Sequence, residues 1–362
     1  MSNPSQNDFQ PDAVPPPGET IQDALEELGM TQNEFAIRMG LTPKHVSALV
    51  NGKGPITPGV ALSLESVLGV PARFWLNLDA NYQEFLSRKQ QAVALESQLA
   101  WVKAFPVLEM IKLKWMPECQ PGIPRLQAVL RFFGVAEAAA WESIWGRPEA
   151  VFRASGKKTI SKESLSAWLR FGQTQAQGFD GPEYDAVKFE VSLRSIRKFV
   201  GAAPAEFLPQ LQAACRSAGV AFYVVPELPK LAVSGACFWL ADRPVILLNL
   251  YSKSEDNFWF SFFHEAKHVL QGVKKRLFVD APGDALDDPK EMEADRYAKE
   301  ILIPAERWNS FVQAAKFGRA QIEAFAKAVK VSPGIVVGHL QHHGLVPWAS
   351  PLTKLKTRFE WA

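Results

Sequence analysis

The chain has 362 residues, 47% of them hydrophobic, with 40 Lys and Arg against 38 Asp and Glu for a formal net charge of +2. That much apolar material exceeds one small core and predicts two or three domains, while near-neutrality excludes a chain-wide attraction to nucleic acid or anionic membrane, so any such partner has to be argued locally. Cys119, Cys215 and Cys237 are widely spaced and form no CxxC pair; with no signal-peptide pattern and no bilayer-length apolar run, they predict a cytoplasmic protein without disulfides, a cysteine-built zinc site or a membrane partner.

Residues 1–17 are polar and proline-rich, ending at Pro15-Pro16-Pro17, and read as a flexible leader. Residues 18–90 then show five short helices: ETIQDALEELG, TQNEFAIRMG, TPKHVSALVNG, TPGVALSLESVLG and PARFWLNLDANYQEFL. Gly29, Gly40, Gly52 and Gly69 stand where helices stop, and Thr31, Thr42 and Thr57 where the next are capped. Within them, MTQNEFAIRMGLTPKHVSALVNG has helix-turn-helix spacing, with Gln32 opening one helix, Ala36 at its middle, Gly40 in the turn and Val46 packing back.

In that motif the second helix enters the major groove, which puts Thr42, Lys44, His45 and Ser47 at base edges and Gln32, Asn51 and Lys53 near phosphates. The stretch through NGKGPITPGVALSLESVLGVPARFWLNLDANY is similar to the Xre/Cro family, and specifically to HigA-type antitoxins. The resemblance implies a lambda-repressor-like five-helix domain that binds double-stranded operator DNA as a homodimer. From Glu19 to Lys89 there are six basic and eight acidic residues, so a helical bundle that contacts only protein stands as the alternative.

Residues 91–214 continue with helical signals, marked by Trp101, Trp115, Trp141 and Trp145 and by a helix start at Ser161-Lys162-Glu163-Ser164; they read as a helical connector. The texture changes in the segment 215–312. VAFYVVPEL, ACFWLA and PVILLNLY are short β-branched or aromatic runs broken by turn residues and predict a small sheet, followed by helices and a polar loop from about Gln271 to Pro289. The fold class expected is α+β, mostly α.

The helix DNFWFSFFHEAKHVLQ is apolar nearly all round, yet it carries His264, Glu265 and His268. Residues i and i+4 share a helix face, so the two imidazoles can meet one ion while Glu265, a step further round, is placed to take a proton from a water. A buried polar triplet is costly unless paired or metal-bound. The next helix, KEMEADRYA, carries apolar or small residues at 294, 297, 298 and 301; Glu293 borders that face, and the small Ala294 after it permits close approach, which makes Glu293 the expected third ligand.

PVILLNLYSKSEDNFWFSFFHEAKHVL followed by EMEADRYAKEILIP resembles the ImmA/IrrE family of metallopeptidases. The family pattern falls on His264, Glu265, His268 and Glu293, with Ile303-Pro304 closing the helix. The resemblance implies a gluzincin-like core holding Zn2+, with Glu265 as catalytic base, and an activity directed at DNA-binding repressors. Members usually carry glycine before the second histidine where this chain has Lys267, a long cation that would narrow the cleft or select an acidic substrate. Tyr251, Tyr297, His339, His342 and His343 are candidate oxyanion donors, none singled out.

Residues 313–362 form a C-terminal helical extension containing an echo of the N-terminal motif: at one offset, Phe325-Ala326, Ser332-Pro333 and Val336 repeat Phe35-Ala36, Thr42-Pro43 and Val46. Gly334, Ile335 and Val337 replace Lys44, His45 and Ser47, so this pair is expected to pack rather than read bases. The function expected is a DNA-binding, antitoxin-like regulator with a zinc peptidase acting on itself or on a partner regulator. Two other readings are a non-enzymatic HigA-type repressor, with a cognate toxin as partner and a metal domain that senses or docks, and a processing peptidase whose head recruits repressors.

Overall fold

The computed structural model describes residues 14–146, 160–250, 253–274, 277–280 and 288–359. The chain forms two compact units, Met1–Gln98 and Leu99–Ala362. Residues 1–13 of the expected leader lie outside the described residues, and helix α1 begins at Pro17.

The first unit consists of α1 (Pro17–Glu27), α2 (Gln32–Met39), α3 (Pro43–Val50), α4 (Pro58–Leu68) and α5 (Ala72–Glu96). Its helix starts are chemically explicit: the side chains of Thr31, Thr42 and Thr57 accept hydrogen bonds from the backbone N–H of Glu34, His45 and Val60. Gly40 closes α2 at φ +65°, a left-handed conformation that a side chain would strain. Ile21, Leu25, Phe35, Ala36, Val46, Leu49, Leu64 and Trp75 form the core, so the apolar faces of all five helices meet.

The second unit opens with α6 (Leu99–Val102), α7 (Val107–Lys112), α8 (Ile123–Phe133) and α9 (Ala138–Ile144). Edge-to-face packing among Trp101, Phe105 and Trp141 holds this stretch together. There follow α10 (Lys162–Gln177), α11 (Ala186–Ile196), α12 (Pro204–Ser217), β1 (Ala221–Val224), β2 (Gly235–Leu240), β3 (Arg243–Leu248), α13 (Glu255–Gln271), β4 (Phe278–Asp280), α14 (Pro289–Leu302), α15 (Ala305–Gln313), α16 (Arg319–Val329) and α17 (Pro333–His342).

The four strands make one mixed sheet in the order β1-β3-β2-β4, with β1 parallel to β3 and β2 antiparallel to both its neighbours. The three apolar runs read from the sequence are β1, β2 and β3. β4 falls inside the stretch expected to be a polar loop: Phe278 pairs with Cys237 and Asp280 with Gly235, so the edge of β2 supplies the strand's partner where local composition signals none. Helix α13 lies on β2 and β3. Its Phe258, Trp259, Phe262 and Phe263 join Phe222, Ile246 and Leu248 in the main core, together with Phe189, Leu193, Phe207 and Leu211 of α11 and α12. Part of the stretch read as a connector therefore packs into the same core as the sheet. The echo pair α16 and α17 packs as expected, with α17 buried from Gly334 to Gln341.

Candidate functional site

Helix α13 is buried around most of its circumference, which carries His264, Glu265 and His268 out of solvent at 4%, 0% and 0% exposure. Packed against it, α14 places Glu291 beside both imidazoles. Glu291 Oε2 lies 3.1 Å from His264 Nε2 and 3.2 Å from His268 Nε2, and the two Nε2 atoms are 3.0 Å apart.

The opposite ring edges are also engaged. Asp295, one turn beyond Glu291 on the same helix face, lies 3.1 Å from His264 Nδ1. Gln271 Oε1 lies 3.0 Å from His268 Nδ1, while its amide nitrogen donates to the Lys290 carbonyl and to Glu293. With the amide nitrogen committed to two acceptors, the Gln271 oxygen takes the Nδ1–H of His268; the Asp295 carboxylate takes that of His264. Both Nε2 lone pairs then converge on a carboxylate oxygen. Three electron-rich atoms at 3.0–3.2 Å repel one another unless a cation or a proton sits among them.

The donor set fits zinc. Two neutral imidazole nitrogens and a carboxylate are its ordinary ligands, and bonds of roughly 2.0–2.1 Å in a tetrahedron give ligand-to-ligand edges of about 3.3 Å. The same three residues are the group of metal-competent side chains found among the described residues. In the other arrangement, with protonated imidazoles in place of an ion, burial works to raise the Glu291 carboxyl, but hydrogen bonds and charge from His264 and His268 outweigh it and hold the group far below the usual carboxylate range. Asp295 is likewise held low: burial opposes the shift, and the hydrogen bond and charge of His264, aided by Lys299, overcome it. The ring of His268 stacks on Phe278 of β4 at 3.8 Å and 15°, so the strand that composition hid forms one wall of the cluster.

Glu293, the expected third ligand, does not face the histidines. Two residues advance a helix by about 200°, and with Glu291 turned inward Glu293 stands on another side. There it meets Lys267 Nζ at 2.9 Å and the Gln271 amide at 3.0 Å. Lys267 is thereby engaged with α14, its ammonium 2.9 Å from Glu293 and 5.5 Å from the Tyr297 ring centre. Glu291, Asp295 and Gln271 are the residues sequence reasoning missed; the available signal was the i, i+4 spacing of Glu291 and Asp295, which matches that of the two histidines.

Glu265 sits against β2. A Cβ added at Gly235 would come within 2.9 Å of Glu265 Oε1 and 2.8 Å of Leu248 Cδ2, so glycine at this strand position makes room for the carboxylate. Among the candidate oxyanion donors, Tyr251 lies outside the described residues. Burial pushes the Tyr297 phenol up to about 12, and burial lowers His339 to about 4. His342 and His343 are exposed at the end of α17.

In the first unit, Lys44, His45 and Ser47 are exposed on α3, and Val46 between them is fully buried. Thr42 is exposed but its hydroxyl is committed to the helix cap, 3.2 Å from His45 N. Gln32 is exposed at the start of α2, its amide donating to Gln22, while Asn51 donates to the Ser47 carbonyl and hydroxyl and Lys53 is exposed beyond it.

A capped helix-turn-helix unit followed by a sheet-and-helix unit with a two-histidine, one-carboxylate cluster defines the class. Residues 21–75 match the family described as Helix-turn-helix, and residues 223–340 match the one described as IrrE N-terminal-like domain. The chain belongs to the helix-turn-helix regulators through its N-terminal part and carries an IrrE N-terminal-like domain in its C-terminal part. It is similar to the uncharacterized HTH-type transcriptional regulator YddM of Escherichia coli K12, 42% identical over 64 residues that span 18% of this chain and 68% of YddM. It is also similar to antitoxin HigA-1 of Vibrio cholerae, 43% identical over 54 residues, 15% of this chain and half of that one. Among solved structures, an addiction module antidote protein of a HigA family from Coxiella burnetii is 30% identical, with 24% of this chain and 94% of that one covered and a TM-score of 0.22.

Proposed function

We propose that the chain is a cytoplasmic, DNA-binding transcriptional regulator, acting as a homodimer, whose C-terminal unit is a zinc-dependent endopeptidase directed at the chain itself or at a partner regulator. The observation that carries the peptidase half is the convergence of His264 Nε2, His268 Nε2 and Glu291 Oε2 at 3.0–3.2 Å, with each Nδ1 on an oxygen acceptor. These three residues would hold the ion. When bound, a zinc ion there supplies a Lewis acid for a scissile carbonyl and acidifies a water. Glu265 accepts the proton of the attacking water on its carboxylate and returns it to the leaving amine. Asp295 and Gln271 hold the histidine tautomers that leave Nε2 available.

For the head, α3 presents Lys44, His45 and Ser47 toward base edges, with Gln32, Asn51 and Lys53 at phosphates. Thr42 contributes its backbone position and cap. A second reading is favoured by the similarity to a transcriptional regulator and to an antitoxin: a repressor that neutralises a cognate toxin and uses its metal unit as a sensor or docking platform.

The test combines metal analysis with mass spectrometry of the full-length chain and of the protein encoded beside it. Zinc near one equivalent is expected in wild type and in Glu293→Ala, and loss of zinc in Glu291→Ala. Glu265→Gln should keep the metal and lose every cleavage product seen with wild type. Products unchanged in Glu265→Gln would remove the peptidase assignment.

A further inference from the structure

The charge of the chain is unevenly divided. The first unit, Met1–Gln98, carries 6 Lys and Arg against 11 Asp and Glu, and the remainder carries 34 against 27. Residues 313–362 alone hold 7 basic and 2 acidic residues. Cations placed on phosphates supply essentially all of the sequence-independent affinity for duplex DNA, and an acidic head is poor in them.

Tertiary contacts gather the cations of several distant segments at one end of the second unit. Arg197 Nη1 donates to the Lys330 carbonyl at 2.9 Å, which lays the short turn Arg197–Phe199 against the end of α16. A Cβ at Gly201 would lie 3.7 Å from Ser332 N, and one at Gly334 would come within 2.8 Å of Lys356 Cα, so the C-terminal segment crosses the first turn of α17. That segment then runs along the start of α13: Glu255 N donates to the Thr357 carbonyl at 3.0 Å, Ser254 pairs with Arg358, and Phe359 N donates to the Lys253 carbonyl at 2.9 Å. Lys198, Lys253, Lys327, Lys330, Lys354 and Arg358 stand exposed on these segments, and none of them makes an ion pair among the described residues. The carboxylates of the same segments are otherwise engaged. Glu255 and Asp256 are buried, with Asp256 paired to Lys356 at 2.6 Å, and Glu323 pairs with Arg319.

Unpaired cations held together in this way attract an anionic surface. None of the exposed large hydrophobic side chains falls in 197–202, 253–254, 327–332 or 354–358, whereas a protein interface places an apolar or aromatic anchor at its centre. The aromatic residues nearest the cations, Phe199 and Phe359, are packed on the core and offer no platform for stacking single-stranded bases. What the surface does offer, charge without apolar or stacking groups, fits a regular line of phosphates.

We propose that this end of the second unit binds the phosphate backbone of double-stranded DNA without sequence preference, through Lys198, Lys253, Lys327, Lys330, Lys354 and Arg358. The choice of duplex DNA as the anion rests on the helix-turn-helix reading of the head. The surface shares no residue with the histidine cluster, and the proposal stands whether or not the unit cleaves peptide bonds.

Fluorescence anisotropy on the full chain, with a labelled duplex of unrelated sequence at several salt concentrations, tests it. Lys198→Gln, Lys330→Gln and Arg358→Gln combined should weaken binding at least tenfold and reduce the slope of log K against log salt by about 2–3, with Tm unchanged because the three side chains are exposed. His45→Ala with Ser47→Ala on α3 should instead lower the preference for the chain's own upstream DNA and leave the unrelated duplex bound as in wild type. The two readings therefore fail separately. An unrelated duplex bound equally by wild type and the triple variant overturns the basic surface, whatever the α3 variant does; loss in the triple variant with no effect of the α3 variant keeps the surface and removes base reading by the head. Wild-type binding to phosphatidylserine vesicles or to polyglutamate at least as tight as to the duplex would assign the surface to a membrane or to an acidic protein. Altered self-association of the triple variant without DNA, read by sedimentation, would assign it to a second copy, and any of these three results overturns the proposal.

Discussion

Asp295 shows how much one side chain outside the three ligands can matter. It holds the Nδ1 edge of His264 and is itself held by Lys299, so it fixes both ring angle and tautomer. Asp295→Asn should lower zinc affinity about 10–100-fold, measured by competition with a chromophoric chelator, while Glu293→Ala leaves it near wild type. Gly235 acts by what it lacks. Gly235→Ala forces a methyl group against Leu248 and the Glu265 carboxylate, and should cost about 1–3 kcal/mol in denaturant unfolding while reducing any cleavage more than it reduces bound metal.

His339 makes a pH-dependent contribution. Burial lowers it to about 4 from an ordinary 6.5, so between those values the unfolded chain binds a proton that the folded chain does not. Stability from this group is complete above about 6.5 and is lost as pH falls through about 4, by up to about 3 kcal/mol for a shift of this size. His339→Gln should flatten the fall in Tm between pH 6.5 and 4, read by calorimetry on both proteins.

At the scale of elements, the core unit depends on a clamp. Arg197 donates from its guanidinium to four backbone carbonyls, Ile301 and Leu302 at the end of α14 and Val329 and Lys330 at the end of α16. Helix C-termini leave their last carbonyls without intrahelical donors, and one planar fork satisfies those of two helices at once. Lysine cannot reproduce that geometry. Arg197→Lys should therefore destabilise the second unit by about 2–4 kcal/mol, seen as a lower urea midpoint. The N-terminal helices are stabilised differently, by local signals: three threonine caps and left-handed glycine stops. Those signals act within a few residues, which is why the first five helices were legible and α5 differs mainly in running on to Glu96. β4 was not legible because three residues make a strand only when an edge such as that of β2 is offered.

For the molecule as a whole, the near balance of charge leaves DNA affinity to a few surface cations. If α3 enters the major groove, Lys44→Ala or Lys53→Ala should each weaken binding to the chain's own upstream DNA and reduce the slope of log K against log salt by about 1. A gel-shift series at several salt concentrations checks this, and an unchanged slope in both variants would favour the protein-docking alternative. Among the described residues no helix is long and apolar enough to cross a membrane.

The sequence by itself determined the helix-turn-helix, the three central strands and the presence of two histidines and a glutamate on one buried helix, because caps, alternation and the i, i+4 period are local properties of the chain. Which carboxylate meets the histidines was decided only by tertiary structure. The rotational setting of α14 against α13 turns Glu291 and Asp295 inward and leaves Glu293 to Lys267, and that setting comes from the packing of Ala294, Ala298 and Leu302 into the core. Two acidic residues two positions apart look alike in sequence; about 200° of helix separates what they can reach.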